Sequence, residues 1–244
     1  MQLLAGTSGF SYKEWVGAFY PEKMPAKAML AHYATQLPIV EINNTFYRMP
    51  NAAAIQGWRA QVPDSFRFAI KMPRRISHLK RLRDCGSELK ALFTAVADLG
   101  TSLGSMLVQL PPHARCDAAS LDAFLGELPP GARVAFEFRH DSWHVPAVFE
   151  LLHGRNAALV QSETDEQFQP LPWTADWAYL RLRRVDYTRA DLEQWLGRLE
   201  ASGVAEAQVF FKHEDGATGP KLAAELLSLK ASHAPQKGVN PHSR

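Results

Sequence analysis

The chain has 244 residues, a formal net charge of +2 at pH 7 and 46% hydrophobic residues, which suits a globular domain with a large core. So mild a charge gives no argument for nucleic-acid binding by bulk electrostatics, and any basic preference must be local. Cys85 and Cys116 lack metal-type spacing and support no disulfide framework, and we find no signal peptide and no apolar run long enough to span a membrane, so we expect a cytoplasmic protein.

Strand-like and helix-like segments alternate along the chain. The alternation of hydrophobic and polar residues predicts strands at 3–8, 39–45, 66–72, 105–110, 133–139, 157–163, 177–183 and 207–213. Capping residues, prolines and a helical period predict helices at 25–36, 52–61, 87–99, 118–127, 146–153, 189–201 and 220–230. The predicted caps are Asn51, Ser87, Asp117 and Thr188. The segment 164–176 carries two prolines and no helical period, so we expect the sixth helix to be missing or reduced to a loop.

Eight strand–helix alternations within about 230 residues are typical of a (β/α)8 TIM barrel with eight parallel strands. We find no linker, and therefore predict a single TIM-barrel domain over residues 1–230 and a disordered C-terminal tail over 231–244. A doubly wound open sheet is the alternative. Strands covered by helices on both faces read as continuous apolar runs, whereas several strands here carry charge on one face near their C-terminal ends, which favours the barrel.

The polar positions at these strand ends predict a site at the C-terminal mouth of the barrel. If alternate residues point inward, the mouth collects Ser8, Glu41, Asn43, Lys71, Gln109, Glu137, Arg139, Glu163, Arg181, Arg183 and Lys212. Cations outnumber anions in this set, which favours an anionic ligand such as a phosphate or a carboxylate. The alternative is a buried ion network that closes the barrel top, with Glu41 and Lys71 as an obvious pair.

Two loops carry further candidates for ligand binding. The first, GTSGFSYKEWVGAFYPEKMP, brings five aromatic residues, among them Tyr12 and Trp15, to the mouth side, where they can form a lid or pack as their own apolar cluster. It matches no phosphate-loop fingerprint. The second, after strand two, offers Asn43 and Tyr47 for hydrogen bonding to a ligand, although such residues are also ordinary turn formers.

Histidines supply the remaining candidates. His78 follows a charged strand end and suits proton transfer, but can equally be a polar loop residue. His140 and His144 are four residues apart near Glu137, a spacing compatible with a metal site. Pro146 places the helix start after both histidines, so we predict no metal and no cofactor.

Five motifs in order, GTSGFSYKEWVGAFYP, EINNTFYRMP, FAIKMPRRISH, VQLPP and AFEFRHDSW, closely resemble the YecE-like family, known as domain of unknown function 72. The resemblance runs from about residue 4 to residue 230 and implies a TIM barrel and a site location, but no reaction. The site residues that it implies are Ser8, Tyr12, Trp15, Glu41, Asn43, Tyr47, Lys71, His78, Glu137, Arg139 and Trp143. The last strand reads VFFKHEDG where family members often carry asparagines, so the resemblance does not extend to Lys212.

Together these observations favour a metal-independent enzyme that acts on a small anionic or phosphorylated substrate. Glu137, Glu41 and His78 are the predicted catalytic residues. The predicted ligand-binding residues are Ser8, Tyr12, Trp15, Asn43, Tyr47, Lys71, Gln109, Arg139, Trp143, Arg181, Arg183 and Lys212. The alternatives are a nucleic-acid-binding barrel, motivated by the basic run RRISHLKRLR at 74–83, and a noncatalytic sensor of a small ligand.

Overall fold

The computed structural model describes residues 1–165, 168, 170–213 and 215–233. The last helix extends to His233, so the predicted disordered tail does not begin at residue 231. The remainder of that prediction, residues 234–244, lies outside the described residues.

Parallel strands form a nearly closed barrel. In the described residues they are β1 (Gln2–Ser8), β2 (Ile39–Ile42), β3 (Arg67–Lys71), β4 (Leu103–Gln109), β5 (Val134–Glu137), β6 (Ala158–Leu159), β7 (Gln161–Glu163), β8 (Trp177–Leu182) and β9 (Glu206–Phe211). Each strand pairs with its neighbours in chain order, except that β6 and β7 do not pair with each other, and β1 also pairs with β9. The chain passes directly from β6 to β7 and so completes the ring, because β6 pairs with β5 on one side and β7 pairs with β8 on the other.

Helices surround the barrel. They are α1 (Ala26–Gln36), α2 (Ala52–Arg59), α3 (Gly86–Val96), α4 (Ala118–Glu127), α5 (Pro146–Gly154), α6 (Arg189–Ala201) and α7 (Thr218–His233). The predicted caps Asn51, Asp117 and Thr188 each accept a hydrogen bond from a backbone N–H of the first turn. The predicted cap Ser87 is wrong, since α3 begins one residue earlier and Cys85 occupies the cap position.

The strand prediction at 157–163 is wrong in one respect, because the structure has two short strands there. Val160 lies between β6 and β7, and its N–H donates to the carbonyl oxygen of Phe136. A loop follows β7 where a regular unit would have a helix. The side chains of Gln161 and Thr174 fix this loop by hydrogen bonds. The Thr174 hydroxyl donates to the carbonyl oxygen of Ala157 and accepts from the N–H of Leu159. No helix occurs among the described residues of 164–176, as predicted.

The hydrophobic core has two layers separated by the sheet. The outer layer, between strands and helices, contains the residues of one strand parity, such as Val134 and Phe136 of β5. The inner layer fills the barrel with Leu4, Ile39, Ala69, Leu107, Ala135, Ala158, Val160, Trp177, Tyr179 and Phe210. Alternate residues of each strand therefore point inward, as the sequence predicts. The next inward positions towards the C-terminal end of each strand form the mouth.

Candidate functional site

Arg181, which points inward from β8, is the centre of a buried ion network at the mouth. Its Nη2 lies 2.8 Å from Glu41 Oε1 and its Nη1 lies 2.6 Å from Glu137 Oε2. Glu41 also accepts hydrogen bonds from the Tyr179 hydroxyl at 2.7 Å and from Asn43 Nδ2 at 3.0 Å. One guanidinium thus connects strand β8 to β2 and β5, which lie on different sides of the barrel.

Glu137 has a second basic partner. Arg183 Nη2 donates to Glu137 Oε1 at 2.7 Å, and Gln109 also hydrogen-bonds this carboxylate. Gln109 Oε1 in turn accepts a hydrogen bond from Lys71 Nζ at 2.8 Å. The expected Glu41–Lys71 pair is therefore wrong, since Arg181 occupies Glu41 and Lys71 is bonded to an uncharged amide.

Electrostatics keep these groups charged. Burial alone would raise the pKa of Glu137, but the charges of Arg181 and Arg183 hold that pKa well below its usual range. Glu41 is affected in the same way, with burial opposed by Arg181 and by its hydrogen bonds, so its pKa is also lowered. A carboxylate that stays ionised and is bonded on both oxygens is a weak proton acceptor. The surroundings of Glu41 and Glu137 are thus those of the ion-network alternative, and their catalytic role stays a prediction.

Lys71 and His78 share one aromatic neighbour at the mouth. Lys71 Nζ lies 4.5 Å from the centre of the Phe46 ring, and the His78 ring centre lies 4.9 Å from that of Phe46. Burial lowers the pKa of His78, and the positive charges of Lys71, Arg74, Arg139 and His113 lower it further. His78 is therefore mainly neutral at pH 7, as a group that accepts and returns a proton must be.

Arg139 is an exposed cation at the mouth. It lies just beyond the end of β5, and no carboxylate of the described residues forms an ion pair with it. It lines a cavity of about 270 Å³. The other residues that line this cavity are Pro112, Glu137, Phe138, Asp141, His144, Val160, Ser162, Thr164, Leu171 and Arg183.

The sequence does not predict four polar residues of this cavity as ligand contacts, namely Asp141, His144, Ser162 and Thr164. Ser162 points inward because β7 continues the parity of Val160, whereas Glu163 points outward and accepts a hydrogen bond from Trp195 Nε1 of α6. Predicting Glu163 at the mouth was therefore wrong. His144 was considered only as a metal ligand, but both of its ring nitrogens are buried without a hydrogen-bond partner in the described residues.

The structure brings two other predicted residues to the rim of the barrel. Ser8 ends β1 beside Glu41, and its buried hydroxyl has no hydrogen-bond partner among the described residues. Tyr12 is half-buried and its hydroxyl donates to the Ser8 carbonyl oxygen at 2.7 Å, so it orders the first loop against the mouth.

Three predicted contacts lie elsewhere. Trp15 is buried in the outer core against Phe19 and Tyr20, as in the alternative in which the loop packs its own cluster. Trp143 is also buried there, stacked on Phe138 at 4.4 Å. Tyr47 is 78% exposed and lines a separate surface groove. Lys212, by contrast, is exposed on the mouth side, just beyond the C-terminal end of β9 and two residues after the inward-facing Phe210.

The basic run at 74–83 lies on the surface and is partly neutralised. Arg75 and Lys80 both pair with Glu88, and Arg83 pairs with Asp117.

No cluster of metal-ligating residues occurs within the part of the chain that the structure describes. The same part of the chain has no helix with the length and hydrophobicity needed to cross a membrane.

Comparison with known proteins identifies the family. The family model "Protein of unknown function DUF72" matches residues 4–243. UPF0759 protein YunF of Bacillus subtilis is 27% identical over 146 residues, which are 54% of this chain and 50% of that protein, so the match spans half the length of this curated relative.

Solved structures agree on the fold. A DUF72 family protein of Thermotoga maritima has a TM-score of 0.82 at 24% identity, covering 95% of this chain and 100% of that one. Another, from Enterococcus faecalis, has a TM-score of 0.76 at 19% identity, covering 94% and 98%. At these identities the likeness shows the fold. The family match over nearly the whole chain confirms the resemblance seen in the sequence, and the protein belongs to the DUF72 family.

Proposed function

We propose that the mouth of the barrel binds a small anionic or phosphorylated substrate and that the protein is a metal-independent enzyme acting on it. The observation that carries this proposal is Arg139, an exposed guanidinium at the cavity that forms no ion pair with a carboxylate of the described residues. Arg183 lines the same cavity, and its buried Nε has no partner among the described residues. Two guanidiniums that face one small cavity suit the planar geometry of a carboxylate or a phosphate.

The cavity limits the size of this substrate. At about 270 Å³ it is near the lower limit of ligand pockets, which suits a compound of a few carbon atoms. His144 and Ser162 offer polar atoms along its wall. Their hydrogen bonds would orient such a substrate while the arginines hold its charge.

Each group of residues has a distinct role in this proposal. Arg139 binds the anion from the exposed side of the cavity. Glu137 fixes Arg181 and Arg183, so that the positive charge at the mouth is preorganised before a ligand arrives. His78, neutral near pH 7, is the group best suited to transfer a proton. We also propose a reducing, cytoplasmic location, because both cysteines are free.

The test measures the binding of inorganic phosphate and of sulfate by calorimetry and by the shift in melting temperature. A ligand that binds only the native state stabilises it by about 2.7 kcal/mol at a hundredfold excess over Kd. We expect a shift for the wild-type protein and little shift for Arg139→Ala. Arg155→Ala is the matched control, since Arg155 is an exposed arginine at the C-terminal end of α5, away from the mouth.

Equal shifts in wild-type protein, Arg139→Ala and Arg155→Ala would show that the anion binds elsewhere. The absence of any shift with either anion would contradict the proposal in its phosphate and sulfate forms. Small carboxylates such as acetate and malonate complete the series, because the same two arginines should recognise them.

A further inference from the structure

Lys71 differs from the other lysines of the described residues in its surroundings. Lys80 and Lys230, the other partly buried lysines, form ion pairs with Glu88 and Glu200. The remaining described lysines are exposed. Lys71 is half-buried at the end of β3, and its amino group donates to the uncharged Gln109 side chain while lying over the Phe46 ring.

The charges around Lys71 do not balance it. The carboxylates of Glu41 and Glu137 are already neutralised by the guanidiniums of Arg181 and Arg183, which bond them directly. An ammonium group at Lys71 is therefore one positive charge in excess. His78 on the adjacent π-helical turn adds a neutral ring rather than an anion.

These surroundings increase the fraction of Lys71 that is a neutral amine. Burial, followed by the charge of Arg181, lowers the pKa of Lys71 to about 8, although Glu41 and Glu137 partly oppose this shift. At pH 8 about half of the Lys71 side chains are then neutral, against roughly 0.4% for an ordinary lysine. Only the neutral amine has a lone pair that can attack an electrophile.

We propose that Lys71 is a nucleophile that forms an imine with a small carbonyl compound carrying a carboxylate or a phosphate group. The proposal rests on the proposed function, since the anionic group of this compound would lie at Arg139 and Arg183. Lys71 and Arg139 are two strands apart, or about 10 Å across the mouth. Both side chains are long, and a compound of two to four carbon atoms placed between them would contact both.

The imine step balances without a cofactor. The Lys71 nitrogen lone pair attacks the carbonyl carbon, and the carbonyl oxygen takes a proton to give a carbinolamine. Loss of a second N–H proton together with the hydroxyl group releases one water molecule and forms the C=N bond. His78, beside the same Phe46 ring, is placed to carry these protons. Protonation of the imine then withdraws electrons from the neighbouring C–H or C–C bond, which is the use of such lysines in catalysis.

The test traps the imine on the full-length protein. Glyoxylate, glyceraldehyde 3-phosphate and uncharged glycolaldehyde are each incubated with the protein and sodium cyanoborohydride at pH 8, and the reduced adduct is located by peptide mass mapping. We expect one adduct at Lys71, formed about a hundredfold faster than at exposed lysines such as Lys90. The better of the two anionic probes identifies carboxylate or phosphate as the recognised group.

Variants complete the test. Lys71→Met should lose the adduct, and the control Lys80→Met should keep it. Arg139→Ala should slow adduct formation with the anionic probes by about tenfold, the effect of one charge-assisted hydrogen bond. Because mapping of the wild-type protein already locates the reactive lysine, the result does not depend on the folding of Lys71→Met.

Three outcomes overturn the proposal in different ways. Labelling spread evenly over the lysines, or unchanged in a folded Lys71→Met, shows that Lys71 is not a special nucleophile. Stabilisation by phosphate without an adduct at Lys71 rejects the imine and leaves the anion site standing. Equal reaction with glycolaldehyde and with the anionic probes, unaffected by Arg139→Ala, rejects the anionic carbonyl substrate, whereas the anion site itself is rejected only if phosphate and sulfate also give no shift.

Discussion

At the scale of single residues, Glu137 separates the two interpretations of the mouth. Its carboxylate has one basic partner on each oxygen, Arg181 and Arg183, and almost no solvent exposure. The sequence placed an acid and a base on one strand face, which favoured catalysis. The structure shows that two arginines from β8 and its C-terminal extension reach this carboxylate, so its charge is already used to hold them.

Glu137→Gln should therefore destabilise the fold. The neutral amide leaves the guanidinium of Arg181 with one carboxylate and that of Arg183 with none, and breaking such a buried pair costs about 3–5 kcal/mol. Urea unfolding measures the loss. Glu150→Gln, at an exposed position of α5, is the control and should change the stability by less than about 0.5 kcal/mol. If Glu137→Gln were as stable as the control, the ion-network role would be excluded and the acid/base role restored.

The sequence predicted which side chains face the mouth better than it predicted their partners. A strand alternates with a period of two, so the charged positions of β2, β3, β5 and β8 could be assigned to one face. Which charged groups pair with each other depends on how far each side chain extends across the barrel. Lys71 and Arg181 are both cations near Glu41, and only the coordinates show that Arg181 bonds it. The burial of Trp15 and Trp143 could not be predicted either, because loop residues follow no regular alternation from which the direction of a side chain can be inferred.

At the scale of secondary-structure elements, the departure from eight regular units lies between β5 and β8. The segment AALVQSE begins with a continuous apolar run, so its parity is ambiguous, and Glu163 was assigned inward in place of Ser162. The loop that follows β7 replaces a helix. Buried Thr174 and the side chain of Gln161 hydrogen-bond across it and satisfy backbone groups that a helix would have covered.

Thr174→Val should weaken this part of the barrel. The valine has the same shape but leaves the N–H of Leu159 and the carbonyl oxygen of Ala157 without their hydroxyl partner, a loss of about 1–3 kcal/mol. Thr35→Val is the control, since the Thr35 hydroxyl is exposed and bonds only its own helix. Hydrogen exchange should locate the weakening at Leu159. Protection there that equals the wild type would show that the loop does not depend on Thr174.

At the scale of the whole molecule, the barrel interior is layered along its axis. A polar network of Ser105, Gln208, Glu206 and Arg133 closes the N-terminal end. Apolar residues fill the middle. The network centred on Arg181 closes the top below the cavity, so that solvent reaches Arg139 and Arg183 more readily than the two carboxylates beneath. The site is thus supported by a charged layer that also holds strands from different sides of the ring.

This arrangement predicts that the stability lost by removing one buried charge is partly regained by also removing the opposite charge that it pairs with. Arg181→Met leaves buried Glu41 without its ion-pair partner, while Glu137 keeps Arg183. The single variant should lose several kcal/mol. Adding Glu41→Gln removes the uncompensated charge, so the double variant should be more stable than Arg181→Met by about 0.5–3 kcal/mol. Arg181→Met with Glu163→Gln is the control pair, because Glu163 faces α6, and it should show no such recovery.

The pH dependence of the stability of Arg181→Met gives an independent measure of the buried charge on Glu41. In the wild-type protein the pKa of Glu41 is lowered, so its contribution to stability is present above the ordinary carboxyl range near 4.5 and is lost as the pH falls below it. Without Arg181, burial dominates and raises the pKa of Glu41, so the folded state binds a proton that the unfolded state has released. Stability of Arg181→Met should then rise as the pH falls from 7 towards 5, while that of its double variant with Glu41→Gln should not. Parallel pH profiles for the two variants would show that Glu41 is solvated or otherwise compensated, and that Arg181 does not hold the barrel top through it.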